Sequence, residues 1–218
     1  MRAINKNKTA ALLKPTVLEN IVSVLLIEEH SLKDSLLKKT ILDLNYSITN
    51  HAASTVDLLE QVEKYNPDLL VMNLNSPNQK ILSALFEINQ LSPLPIIIFA
   101  EQDTPNVLRT SIKAGVSAYV INEIHPHRLK SIFSVAIERF KELQSLKHEL
   151  EQTKAQLESR KLVERAKGLI MQQRNMSEQS AYKTLRKMAM DNGNSLAMVA
   201  KNVIDVCQLL TPSENKSR

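Results

Sequence analysis

Tryptophan is absent from this 218-residue chain, cysteine occurs once, and glycine occurs only three times. The single Cys207 excludes an intramolecular disulfide, and its neighbours Val206, Leu209 and Leu210 mark it as a small buried hydrophobe. So little glycine beside 43% hydrophobic residues excludes both a disordered chain and a turn-dense all-β fold. A helix-rich soluble protein is expected. No apolar run reaches the roughly 18 residues needed to cross a bilayer, and the opening MRAINKNKTAALLKPTVLEN has no apolar block of signal-peptide length. A flexible extension over 1–20, a cytoplasmic location and no membrane partner are the expectations. Glycine-rich phosphate loops, zinc-ligand spacings and nucleophile elbows are missing as well, so no enzyme, metal or cofactor is expected.

What is present is unevenly charged. The net charge is +5, but residues 1–138 carry 13 Lys/Arg against 14 Asp/Glu, whereas 139–218 carry 15 against 9. Basicity gathered at one end is what neutralising phosphates requires.

From 21 to 138 the chain alternates short apolar runs with amphipathic stretches. Candidate strands lie at 21–27, 46–49, 68–73, 95–100 and 118–121, and candidate helices at 31–43, 55–64, 79–90, 104–114 and onward from Pro126. Five βα units imply a doubly wound parallel sheet of order 2-1-3-4-5. The acidic pair Glu28 and Glu29, the turn NLNSPN from Asn73 to Asn78, and KAGVSAYV from Lys113 to Val120 together resemble a response-regulator receiver domain.

That resemblance implies an aspartate phosphoacceptor ending strand three, a Thr or Ser ending strand four and a Lys ending strand five, with acidic residues holding Mg²⁺. The chain departs at each. The three positions align with Asn73, Ala100 and Asn122, the last followed by Glu123. The expectation is a degenerate receiver in which Glu28 and Glu29 form a polar loop at the strand ends instead of a metal site. His125 and His127 flank Pro126 where a helix begins, and further ligands are missing there.

Beyond Pro126 the helical pattern runs longer than one receiver helix requires. A heptad can be written with Ala136, Leu143, Leu150 and Leu157 at one core position and Arg139, Leu146, Thr153 and Arg160 at the other. A coiled-coil linker over 126–160 is expected, with a dimer seam of Leu143, Leu146, Leu150 and Leu157 joining two copies of the chain. The alternative is one helix packed along its own domain.

Three further helices are expected at 160–174, 177–191 and 195–210, broken at Asn192, Gly193 and Asn194, with Ser177 as an N-cap and a tail over 212–218. Apolar residues from Leu162 to Ile204, including Tyr182 and Met188, should form the core, and Gly168 should mark a close backbone approach. Arg165, Lys167, Arg174, Lys183, Arg186, Lys187 and Lys201 should remain outside to meet phosphates, with Arg186 or Asn202 as readers of bases. The succession AKGLIM, SAYKTLRKMAM and VAKNVI resembles the ANTAR domain, an RNA-binding module of transcription antiterminators.

A degenerate receiver, a coiled linker and an ANTAR domain in this order resemble antiterminators of the NasT and AmiR type, and KAGVSAYV with SVAIERF and the AKGLIM segment are most similar to the NasT kind. The resemblance implies a regulator of nitrate and nitrite assimilation. Its partners would be leader mRNA with paired hairpins, a second copy of the chain, and a NasS-like nitrate/nitrite-sensing protein that holds it inactive. A DNA-binding response regulator and a pseudo-receiver signalling scaffold are the competing readings.

Overall fold

The computed structural model describes residues 21–29, 35–53, 55–102, 105–121 and 124–210. The N-terminal extension, the expected helix starts at 31 and 104, Asn122 with Glu123, and the tail at 212–218 lie outside the described residues. Two compact units divide at Lys141 and Glu142.

The first unit contains β1 (Ser23–Glu28), α1 (Leu36–Asp43), β2 (Ser47–Ala52), α2 (Leu58–Tyr65), β3 (Leu69–Leu74), α3 (Gln79–Leu91), β4 (Ile96–Ala100), α4 (Pro105–Lys113), β5 (Ala118–Ile121) and the start of α5 (Pro126–Arg174). The strands pair in parallel in the order β2-β1-β3-β4-β5, as five βα units require. Local chemistry sets the element starts. Ser35 Oγ accepts from the Lys38 amide to cap α1, and Asn78 Oδ1 accepts from the Ile81 amide to cap α3.

Alternation along the central strands feeds two cores, one on each face of the sheet. Leu25, Ile27, Leu70, Met72, Ile96 and Ile98 pack with Leu58 and Val62 of α2 and Ile81, Leu85 and Ile88 of α3. Their neighbours Val24, Leu26, Leu69, Val71, Ile97 and Phe99 pack with Leu37 and Ile41 of α1 and Leu129, Phe133 and Ala136 of α5. Continuous apolar strands are thus buried on both sides, which only a sheet covered on both faces allows. Gly115 sits at φ +97°, and a Cβ there would stand 2.5 Å from Asn89 Cγ, so the glycine of KAGVSAYV is dictated by backbone and space alike.

The heptad reading is corrected at its first position. Ala136 is fully buried among Leu129 and Phe133, so it belongs to the sheet-covering core and not to a seam.

The second unit holds the rest of α5, then α6 (Glu178–Asp191) and α7 (Leu196–Leu210). The first of the three expected C-terminal helices is not a separate element; it is the end of a single 49-residue helix. Neither Pro nor a stabilised break interrupts the stretch between Pro126 and Arg174, and its Glu, Lys, Gln and Leu residues are strong helix formers. Ser177 caps α6 by accepting from the Ser180 amide, as its position predicted. Asn175 at φ 45° and Gly193 at φ 62° turn the chain on either side of α6.

Candidate functional sites in each unit

At the C-terminal edge of the parallel strands, where such sheets bind ligands, three of the degenerate receiver residues, Glu28, Glu29 and Asn73, form a polar cluster with His51 and Asn75. Glu28 is the last residue of β1 and only 2% exposed, so the expectation of a polar loop is overturned for it. Burying a carboxylate costs several kcal/mol unless it is paired and hydrogen-bonded (on the order of 3 or more). Both oxygens are paired. His51 Nε2 stands 2.8 Å from Oε2, and Asn73 Nδ2 donates to Oε1 at 3.3 Å. Glu29 Oε2 accepts from the Asn75 amide at 3.0 Å, while the Glu29 amide donates to the Asn73 carbonyl at 3.1 Å.

His51 did not figure among the expected site residues. It reaches Glu28 because β2 carries a register shift: Val24 faces Ile48, but Leu25 faces Asn50. Thr49 is left over, and its Oγ1 donates to the Val24 carbonyl at 3.2 Å. A one-residue slip moves a strand's side chains to the other face of the sheet. Opposite Leu26 in place of Ile27, His51 comes to the face that Glu28 shares.

Ala100 ends β4 opposite Leu74, one position beyond the Asn73–Phe99 pair, and is packed into the α2–α3 core. Asn122 lies outside the described residues. A receiver's Mg²⁺ does not fit the residues present. The strand-three position offers an amide already donating to Glu28, and the buried Glu28 carboxylate is itself taken up by His51. Nor can a carboxamide become an acyl phosphate.

In the second unit the core is Val163, Ala166 and Ile170 of α5, Ala181, Leu185 and Ala189 of α6, and Val199, Ala200 and Ile204 of α7. Small residues at the contacts let three short helical segments close on one another. Arg165, Arg174, Lys183, Arg186, Lys187, Lys201 and Asn202 are exposed around it.

Lys167 is a correction. It is 8% exposed, and its Nζ lies 2.7 Å from Glu164 Oε1 and 2.6 Å from Glu178 Oε1, so it ties α5 to the first turn of α6. The Glu164 and then the Glu178 carboxylate hold its ammonium above the ordinary lysine range, and Lys167 in turn holds the Glu178 carboxyl below the usual carboxylate range. Its charge is spent inside the domain.

Three further expectations change. Tyr182 is 42% exposed and Met188 39%, so neither belongs to the core proper. Gly168 is solvent-exposed with nothing within 4 Å of where a Cβ would be, so it accommodates no neighbouring backbone. Cys207 is buried, in keeping with its apolar neighbours.

At 3.6 residues per turn, Thr184 and Met188 lie on one flank of the buried Ala181–Leu185–Ala189 stripe, with Tyr182 and Arg186 on the other. The Thr184–Met188 flank, with Gln173 and Arg174 from α5 and Asn202 and Val203 from α7, lines an open cleft of 270 Å³. Along the second unit's part of α5, Leu143, Leu146, Leu150 and Leu157 fall on one face and are each more than half exposed. Among the described residues no helix is long and apolar enough to cross a membrane.

Known proteins resemble the chain in part or nearly throughout. A CheY-like response regulator receiver domain protein from Methanospirillum hungatei superposes with a TM-score of 0.49 at 19% identity, covering 56% of this chain and 98% of that one. The transcriptional regulatory protein PdtaR of Mycobacterium tuberculosis is 29% identical over 191 residues, 88% of this chain and 92% of that protein. The nitrate regulatory protein of Klebsiella oxytoca is 37% identical over 87 residues, 39% of this chain but 22% of that protein. These relatives are regulatory proteins. Residues 24–134 match the response regulator receiver domain, and residues 151–204 match the ANTAR domain. The chain belongs to the response regulator receiver family and carries an ANTAR domain in its C-terminal part.

Proposed function

We propose that this protein is a transcription antiterminator that binds paired hairpins in leader mRNA as a homodimer. The observation that carries the reading is the ANTAR match over 151–204 laid on a compact three-helix core, with six exposed cations left around it after Lys167 is removed. Such cations supply salt-dependent affinity for phosphates, and sequence is then read from unpaired loop bases. The exposed stripe of Leu143, Leu146, Leu150 and Leu157 supports the dimer, because four leucines on one helix face bury apolar area only against a second surface. Two copies of the module would grip two hairpins.

Nitrate and nitrite assimilation genes are the proposed targets, a reading supported by the likeness to the Klebsiella oxytoca nitrate regulatory protein. Control is assigned to a ligand-sensing partner protein of the NasS-like kind and not to phosphorylation. Asn73 supplies no nucleophile, and Glu28 is occupied by His51.

Gel-shift titration of the full chain tests this with tandem-hairpin RNA, a single hairpin, a loop-substituted hairpin and duplex DNA, each at two salt concentrations. Tandem hairpins should bind tightest, loop substitution should abolish the preference, and DNA should bind weakly with a steep salt slope. Preference for duplex DNA would indicate a DNA-binding regulator. Equal weak binding to every probe would leave a signalling scaffold.

A further inference from the structure

The cleft between α5, α6 and α7 in the second unit has a lining that a core defect does not need. Four polar side chains stand on its rim: Gln173 and Arg174 at the end of α5, Thr184 on α6 and Asn202 on α7. Its floor is apolar, with Met188 and Val203 facing it. At 270 Å³ it lies just under the roughly 300–1,000 Å³ of sites for drug-sized ligands, so it suits one flat ring system and not a larger molecule.

Charge selects the class of occupant. None of the described residues lining the cleft is acidic, and Arg174 is in its rim. On α6 the rows turn outward from the buried stripe through Met188 and Thr184 to Lys187, so a second cation borders the same flank. An apolar peptide side chain would use the floor and leave two carboxamides, a hydroxyl and a guanidinium without purpose. A ring with hydrogen-bonding edges, attached to an anionic backbone, uses all of them.

We infer that this cleft receives one unstacked base from the loop of a bound hairpin. The base lies against Met188 and Val203, Thr184 and the Asn202 and Gln173 carboxamides meet its edge, and Arg174 with Lys187 holds the flanking phosphates. The inference rests on the RNA-binding reading above and adds the place where sequence is read. It moves the reading role from Arg186, which lies on the opposite flank of α6, to Asn202 and its neighbours. Methionine suits such a floor because its unbranched thioether adapts to a ring face.

The test uses the full chain and hairpin RNAs selected on it from a pool with randomised loops. A selected hairpin is remade with one loop nucleotide at a time abasic, and each is titrated against wild type, Asn202→Ala, Val203→Phe and Lys187→Ala, with circular dichroism confirming that each variant is folded. One abasic position should weaken wild-type binding about tenfold or more, the size of losing a stacked base. That same position should matter less than about twofold to Asn202→Ala and Val203→Phe, whose binding is already weakened, whereas Lys187→Ala should lose affinity equally for every loop. 4-Thiouridine at the sensitive position should cross-link to the peptides containing Met188 or Asn202. Should the abasic penalty be the same in wild type and Asn202→Ala, or the cross-link map to the Tyr182–Arg186 flank, the cleft is not the reading site while RNA binding stands. If the pool yields no hairpin, the RNA-binding reading falls and the cleft proposal with it.

Discussion

Replacing His51 with alanine is the most direct perturbation of the degenerate receiver site, because it removes the closest partner of a carboxylate that is 2% exposed. After the substitution Glu28 keeps, among the described residues, only the Asn73 amide at 3.3 Å. Removing the closest hydrogen-bond partner of a buried carboxylate costs about 3 kcal/mol, since the group is left desolvated without its partner. With a urea dependence of about 1–3 kcal/mol per molar for a small domain, the unfolding midpoint should fall by 1 M or more. Glu28→Gln alone should cost less, because a neutral amide in the same place carries no charge to leave unpaired.

The double variant decides the cause. If the His51–Glu28 contact is what His51 provides, His51→Ala should cost at least about 1.5 kcal/mol less in the Glu28→Gln background than in the wild type. Urea unfolding followed by circular dichroism at neutral pH gives all four stabilities. An equal cost in both backgrounds, within about 0.5 kcal/mol, would refute the reasoning, because the cost of losing His51 would then not pass through Glu28. Added Mg²⁺ should leave the wild-type midpoint unchanged, because a ligand stabilises only what it binds.

Two other outcomes follow from the second unit. The Glu178 carboxyl is held below the usual carboxylate range by Lys167, so its contribution is present above that range and lost as pH falls through the lowered value; the Lys167 ammonium is raised, so its contribution is lost only as pH climbs through the raised value. Wild type should therefore exceed Glu178→Gln in stability at neutral pH and converge with it in acid, and parallel acid profiles in thermal unfolding would contradict the pairing. Gly168→Ala should raise stability by about 1 kcal/mol, because the position is an exposed helix interior with open space for a methyl group; a fall in the melting temperature would show a contact that a single chain does not contain.

The sheet was legible because its signal is a parity. β4 is apolar throughout and β1 and β3 are apolar but for Ser23, Glu28 and Asn73, and the core residues of alternate parity went to the two predicted helix layers without exception. His51 was not legible for the same reason. Its role depends on the extra residue at Thr49, and nothing in SITNHA marks which residue of β2 is unpaired. Lys167 failed on a related point, since its partner Glu178 is eleven positions along the chain on the next helix and only the fold brings the two together. Ala136 shows the opposite error. A heptad continues through it, but a period of 3.5 cannot tell a helix face turned to its own core from one turned to a partner. The site positions Asn73 and Ala100 were located from motif spacing, yet what holds Asn73 was not, because a hydrogen bond to Glu28 spans 45 residues.

The closed state of the Glu28 cluster bears on how the proposed antiterminator is controlled. A ligand shifts a conformational equilibrium only by its differential affinity for the two states. In a working receiver the differential comes from a phosphoryl group and a cation that find otherwise unpaired carboxylates. Here Glu28 has His51 and Asn73, and Glu29 has the Asn75 amide, so an incoming cation would first have to displace internal partners. On the proposed reading, control falls to a surface that still has something to gain from contact. The four exposed leucines of α5 are such a surface, because each has more than half of its area still open to be covered. On that reading a partner covering the stripe would compete directly with a second copy of the chain, and separating the two proposed RNA-binding modules would remove the gain in effective concentration that binding two hairpins together provides.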